Sequence, residues 1–124
     1  MDLAEFLLAR LDEDESAARA AFADLEQRTD DGRWEVPSNY GADEARIEGV
    51  GIIIYDEGGH DREQALHVAR HDPARVLAEC DAKKAIVELF SSRDEAWAAT
   101  RDVLFELLAL PYNSHPDYQE SWRP

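Results

Sequence analysis

The dipeptide Asp72-Pro73 marks a break between two helices, and this break constrains the fold more than any other feature of the sequence. The residue before a proline is disfavoured in the helical region, whereas proline suits the first turn of a helix. A helical segment that begins at Glu63 therefore ends before Asp72, and a new helix runs from Pro73 to about Phe90. The Asp72 carboxylate is expected to cap this second helix by accepting hydrogen bonds from its first amides.

Residues 2–28 are predicted to form one long helix. Apolar residues recur every three or four positions in a single stripe that begins at Leu3 and reaches Leu25, and Asp2 is placed to cap the helix. Four consecutive acidic residues, 12–15, span a full turn within it, so at least one of them must point near the apolar stripe. They are interpreted as a solvated face, with a carboxylate cluster for a cation or a basic partner as the alternative.

Residues 33–56 predict a small antiparallel sheet. The segment 33–36, with the sequence RWEV, is predicted to be a short strand, and residues 46–56 predict a second one because they are rich in β-branched side chains. Gly49 and Gly51 indicate a bulge or a turn within that second segment. Two short strands form a hairpin too small to be stable alone, so a helix is expected to pack on one face.

The C-terminal part of the chain predicts a further helix and an ordered tail. Residues 92–95, SRDE, match a capping box, and the apolar stripe that follows them ends at Pro111. The tail contains Tyr112, Tyr118 and Trp122. The two tyrosines suit contact with a partner or packing of the tail onto the helices, and the second interpretation is favoured because aromatic residues near prolines are typical of packed segments.

The composition is strongly acidic, with 28 Asp and Glu against 13 Lys and Arg and a net charge of −15. This charge disfavours direct contact with nucleic acid or an anionic membrane. It could attract a basic protein or imitate DNA, although acidity that only maintains solubility is the simpler interpretation. One cysteine, Cys80, excludes an internal disulfide, and no signal peptide or membrane-spanning segment is recognisable, so the expected location is the cytoplasm.

His67 and His71 are the candidate metal ligands, because residues four apart share one face of a continuous helix and this spacing can bind zinc. Val68 stands where a metalloprotease motif has glutamate, and the sequence does not identify a third ligand. The alternative is structural. His67 would then be a packed polar residue, and His71 would gain from the helix dipole when protonated.

Arg70 and Arg75 are candidate contacts for an anion or a partner, because they flank the start of the helix at Pro73. Free amides and the dipole at a helix start attract negative charge. The alternative is that both arginines pair with nearby acids. There is no phosphate-binding glycine loop, nucleophile elbow or paired CxxC motif, so neither a cofactor nor a catalytic residue is predicted.

Three segments carry a resemblance to a known family: FLLARLDEDE at 6–15, HVARHDPARVLAE at 67–79 and LLALPYNSHPDY at 107–118. Through them the chain resembles a family of small proteins of unknown function from Streptomyces-type actinobacteria and their phages. Members of that family usually have a Pro-Gly-Pro-Trp type turn before the first strand, where this chain has DGRW at 31–34. The resemblance implies an actinobacterial or phage origin and supplies no activity or catalytic residue.

These observations together predict a single α+β domain. Its parts are an N-terminal helix over 1–29, a small antiparallel sheet over 33–56, two to three helices over 63–110 packed as a helical layer, and an ordered tail over 111–124. The expected function is that of a non-enzymatic, acidic binding or regulatory accessory protein with a protein partner, for which a basic protein is one candidate, and a homodimer is compatible with the sequence. The alternative is a small metal-binding protein or metal-dependent enzyme that uses His67 and His71.

Overall fold

A computed structural model describes residues 1–21, 31–37, 46–49, 52–54 and 62–124. Helices and short strands within these ranges confirm the predicted α+β class. In chain order they are α1 (Leu3–Ala20), β1 (Trp34–Glu35), β2 (Ile47–Gly49), β3 (Ile52–Ile54), α2 (Arg62–Arg70), α3 (Pro73–Ser91) and α4 (Ala98–Ala109), with 3-10 helices at Glu95–Trp97, Leu110–Tyr112 and Glu120–Trp122. Among the described residues, no helix is both long enough and apolar enough to span a bilayer.

The chain divides into two compact units. Unit 1 consists of Met1–Asp14 and Glu79–Pro124, and unit 2 consists of Glu15–Ala78. Helices α1 and α3 therefore each contribute residues to both units. The prediction of a single domain is not tested by this division and stays a prediction.

Helix α1 begins with a reciprocal capping box. The backbone N–H of Glu5 donates to Asp2 Oδ1 at 2.8 Å, and the backbone N–H of Asp2 donates to Glu5 Oε2 at 2.7 Å. Asp2 is therefore the cap that the sequence predicted. The helix ends at Ala20 in the structure, and residues 22–28, over which the sequence predicted its continuation, lie outside the described residues.

The core of unit 1 forms around α1, α3 and α4. Its buried residues are Phe6, Leu7, Val87, Phe105 and Ala109. The tail lies against this core, because the rings of Tyr112, His115, Tyr118 and Trp122 all have centroids 5.0 to 6.4 Å from that of Phe6. The structure thus places both tail tyrosines in intramolecular aromatic packing.

Unit 2 contains a three-stranded antiparallel sheet in the order β1-β2-β3. The prediction of one strand over 46–56 is wrong, because β2 and β3 run in opposite directions with Gly49 paired to Ile52. Residues 50 and 51 lie outside the described residues, so the bulge or turn predicted at Gly49 and Gly51 stays a prediction. Ile47 of β2 is buried with Ala65 and Ala69 of α2, so α2 covers one face of the sheet.

The prediction that Ser92 caps a helix is also wrong. Helix α3 extends to Ser91, so Ser92 follows it directly, and Ser92 Oγ donates to the carbonyl of Leu89 at 3.0 Å. Asp94 is the cap instead, because its carboxylate accepts from the amide of Ala96 at 3.2 Å. The hydroxyl of Ser92 is thus bonded to the end of α3, and the amide of Ala96 in the next helical segment is accepted by Asp94.

Candidate functional site

A groove of about 690 Å³ in unit 2 brings the two sequence-predicted arginines, Arg70 and Arg75, together. Its walls are residues 33–36 of the β1 region, the end of α2 and the first turns of α3. The fold adds a third arginine, Arg33, which precedes β1. We name this feature the arginine groove and define it by Arg33, Arg70 and Arg75.

Asp72 fixes the geometry of the arginine groove. Its Oδ1 accepts from the amide of Arg75 at 2.9 Å, which confirms the predicted cap of α3. Its Oδ2 accepts from the amide of Trp34 at 3.1 Å and so ties β1 to the start of α3. One carboxylate therefore holds two walls of the groove in place.

The first-turn amides of α3 are already used within the protein. Pro73 has no N–H, Ala74 donates to the carbonyl of Gly32 at 2.9 Å, Arg75 donates to Asp72, and Val76 donates to the carbonyl of Asp72 at 3.1 Å. Gly32 adopts a φ of 72°, which favours glycine at this turn. The free amides that the sequence predicted as an anion site are therefore not available, and the positive charge of the groove comes from its side chains.

The three arginines differ in their pairing. Arg33 Nε lies 3.7 Å from Asp31 Oδ2, an exposed pair of the kind that contributes little energy. Within the described part of the chain, the guanidinium of Arg70 forms no ion pair, although both sides of the groove carry acids, namely Glu35 and the Asp72 cap. Arg70 is accordingly the strongest candidate for contact with a ligand.

His67 and His71 lie side by side, with ring centroids 4.6 Å apart. His71 Nδ1 lies 2.8 Å from the carbonyl oxygen of His67, so this nitrogen donates and only Nε2 is left to bind a metal. The described residues contain no group of three His, Cys, Asp or Glu side chains that could hold a metal ion. The metal site therefore stays a prediction that depends on these two histidines.

A polar cluster in unit 1 surrounds the buried side chain of Arg10, a residue that no sequence motif singles out. Arg10 is only 6% exposed. Its guanidinium lies 2.8 Å from His115 Nδ1, 2.8 Å from Glu13 Oε1 and 3.7 Å from Asp117 Oδ2. The available signal was helical register, because position 10 continues the apolar stripe that starts at Leu3. We name these four residues the Arg10 cluster.

The four consecutive acids of α1 each have a partner within their own unit. The closest atoms are 2.6 to 2.9 Å apart in the pairs Asp12–Lys84, Glu13–Arg10, Asp14–Tyr112 and Glu15–Arg19. Asp14 is the acid that points toward the packed side of the helix, as the spacing required for at least one of them. Their carboxylates are thus separately paired and do not converge on one cation.

Tyr112 donates to Asp14 Oδ2 at 2.6 Å, and this bond predicts that the folded state loses stability at alkaline pH. Burial first, and then the bond to Asp14, raise the pKa of Tyr112 above its ordinary value of 10.0. The folded state therefore holds this proton more tightly than the unfolded state does. The stabilisation is complete below pH 10 and is lost as the pH rises beyond that value.

We expect the free energy of unfolding of the wild type to fall more steeply above pH 10 than that of Tyr112→Phe. At pH 7, Tyr112→Phe should cost about 1.5–3 kcal/mol, because the charged Asp14 loses its donor. Urea denaturation at pH 7 and at a pH above 10 measures these differences in the free energy of unfolding. The control is Tyr118→Phe, which removes a buried hydroxyl with no partner and should be nearly neutral at pH 7. Equal losses in the two variants would contradict the assignment.

Comparison with known proteins gives one match. A family model described as "Family of unknown function (DUF6221)" matches residues 1–124. No curated protein and no solved structure matches the chain.

Proposed function

Because the chain belongs to DUF6221, a family of unknown function, we propose its function from its own geometry: it is a binding protein whose arginine groove holds an acidic segment of a protein partner. The observation that carries this proposal is that Arg33, Arg70 and Arg75 line one groove in a chain of net charge −15. With acids outnumbering bases by 28 to 13, three arginines in one groove form a local exception to the charge of the chain.

The chemistry of the groove defines the ligand. A volume of about 690 Å³ falls within the range of ligand pockets and fits a few side chains of a peptide. Guanidinium groups bind carboxylates in bidentate geometry. Apolar side chains, among them Trp34, Val36 and Leu66, form most of the remaining lining, together with the acids Glu35 and Asp72. A segment with alternating acidic and apolar side chains complements both parts of this surface.

The net charge of the chain does not prevent such binding. At physiological ionic strength the Debye length is about 8 Å, so charges beyond that distance are largely screened at the groove. The arginines in contact with the ligand then dominate. By contrast, the acids of residues 12–15 are paired inside the chain, which weakens the alternative in which they attract a basic partner.

The test uses two synthetic peptides, one of alternating Glu and Leu and one of alternating Lys and Leu, titrated by calorimetry at physiological ionic strength. We expect the Glu–Leu peptide to bind the wild type, and Arg70→Glu to weaken this binding by about tenfold or more, because it replaces a charge-assisted contact by repulsion. The matched control is Arg19→Glu, which changes the net charge equally at an exposed position outside the groove.

Two results would overturn the proposal. If Arg19→Glu weakens binding as much as Arg70→Glu, the general field of the protein is responsible and the groove is not. If the Lys–Leu peptide binds more tightly and neither substitution weakens it, the partner is basic, as the sequence alone also allowed.

Three finer statements belong to this proposal. The motifs at 67–79 and 107–118 support an actinobacterial or phage origin, and the single cysteine is compatible with the cytoplasm. A homodimer is proposed as an additional state of the protein. The alternative function, metal binding by His67 and His71, predicts stoichiometric metal in the purified native protein and its loss in the double alanine variant.

A further inference from the structure

We propose that His115 is a pH-sensitive latch: it holds the tail, residues 110–124, on α1 while its Nδ1 is unprotonated, and it releases Arg10 when the ring gains a proton. This device lies entirely within unit 1 and is independent of the arginine groove.

The protonation state of His115 follows from its donors. An arginine guanidinium can only donate hydrogen bonds, so at 2.8 Å from Arg10 Nη1 the Nδ1 atom of His115 must accept. The backbone N–H of Asp117 donates to the same Nδ1 atom at 3.1 Å. Two donors therefore share one acceptor nitrogen, and the single proton of the neutral ring is on Nε2.

A proton on Nδ1 would abolish both of these hydrogen bonds at once, because both nitrogens of the imidazolium are donors. It would also place a second positive charge beside the guanidinium of Arg10, which is only 6% exposed. Burial strengthens this repulsion, since the effective dielectric constant is lower than in water.

The other charged and titratable groups around the ring do not replace the lost contact. On α1, Glu13 already accepts from Arg10, and Asp14 already accepts from Tyr112 of the tail. Asp117 of the tail lies 3.7 Å from Arg10 Nη1 and 3.9 Å from His115 Nδ1, so its one carboxylate would be shared between two cations once the ring is protonated. Among the residues that the structure describes, Arg10 Nε has no hydrogen-bond partner.

His115 is part of the packing of the tail on α1, so a displacement of its ring would affect the tail. The ring of His115 packs on Phe6 at 5.8 Å, between the rings of Tyr112 and Tyr118 along the chain. Histidine is the side chain that ordinarily changes its charge between pH 5 and 8. A proton on this ring would therefore loosen the tail from the core, because the hydrogen bonds that Nδ1 accepts are lost.

The test is amide hydrogen exchange of the full chain at pH 7.5 and pH 5.5, corrected for intrinsic exchange rates. In the wild type we expect the opening of residues 112–123 to increase by about tenfold at pH 5.5 relative to amides of α4, because two hydrogen bonds are lost. In His115→Asn we expect less than a twofold change, since the amide oxygen can accept from Arg10 and does not titrate. His67 and His71 are unchanged in this variant, so an equal increase in both proteins would overturn the proposal.

A second measurement does not depend on a variant. Nitrogen NMR of the imidazole of His115 in the wild type reports which ring nitrogen carries the proton. The latch requires an unprotonated Nδ1 and a protonated Nε2 at pH 7.5, and a proton on Nδ1 at that pH would exclude it.

Discussion

Phe6→Ala is expected to lower the free energy of unfolding by about 3–5 kcal/mol, the usual cost of removing a buried phenylalanine from a core. Phe6 is 0% exposed and is packed against residues of α3 and α4 in the core of unit 1. Four rings of the tail also surround it, of which Trp122 is the nearest at 5.0 Å. Alanine would leave a cavity beneath rings that reach Phe6 from different directions, so no single movement could fill it.

Urea denaturation followed by helical circular dichroism measures this loss. The matched control is Leu8→Ala on the same helix, where the side chain is 40% exposed, and it should cost less than about 1.5 kcal/mol because less apolar area leaves contact with protein. Hydrogen exchange should show the loss of protection in the tail of Phe6→Ala. A similar small loss in both variants would mean that Phe6 is not the centre of this core.

Asp72→Ala has the second largest expected effect, a loss of about 2–4 kcal/mol. Removal of an N-cap costs about 1 kcal/mol. The same substitution also leaves the amide of Trp34 without its charged acceptor, and a hydrogen bond to a charged group contributes about 1.5–3 kcal/mol. The two losses occur together because one carboxylate serves both α3 and β1.

Two variants separate the contributions of Asp72. Asp72→Ser should keep the cap and lose the bond to Trp34, so its free energy of unfolding should lie between those of the wild type and Asp72→Ala. Asp94→Ala, which uncaps only a three-residue 3-10 helix, should cost about 1 kcal/mol or less. If Asp72→Ala costs no more than Asp94→Ala, the bond between Asp72 and β1 does not stabilise the fold.

Local features were the ones that could be predicted from the sequence. Asp2 and Asp72 cap helices through residues within three positions of themselves, so their neighbours determine the outcome. The Asp72-Pro73 break is equally local, since a proline restricts the residue before it. Ser92 was mispredicted because the motif does not show where the preceding helix ends, and α3 extends to Ser91, directly before this serine.

The arginine groove and the Arg10 cluster depend on contacts between residues that are distant in sequence, and no local pattern reveals these contacts. Arg10 meets a histidine 105 positions later, and Tyr112 meets an acid 98 positions earlier. Arg33 joins Arg70 and Arg75 only because the sheet packs beside α2 and α3. Helical register could have indicated that Arg10 is buried, but it could not have supplied the identity of its partner.

The double role of Asp72 also has a kinetic consequence. Its bond to Arg75 spans three residues and can form as soon as the first turn of α3 exists, whereas its bond to Trp34 spans 38 residues. Contacts between residues far apart in sequence form late, because the intervening chain must first lose its freedom. The newly formed helix would therefore hold the Asp72 carboxylate in a fixed orientation, with Oδ1 bonded to Arg75 and Oδ2 still unbonded, before β1 packs beside it. A side chain fixed by the early local contact thus becomes the template on which the later strand is positioned.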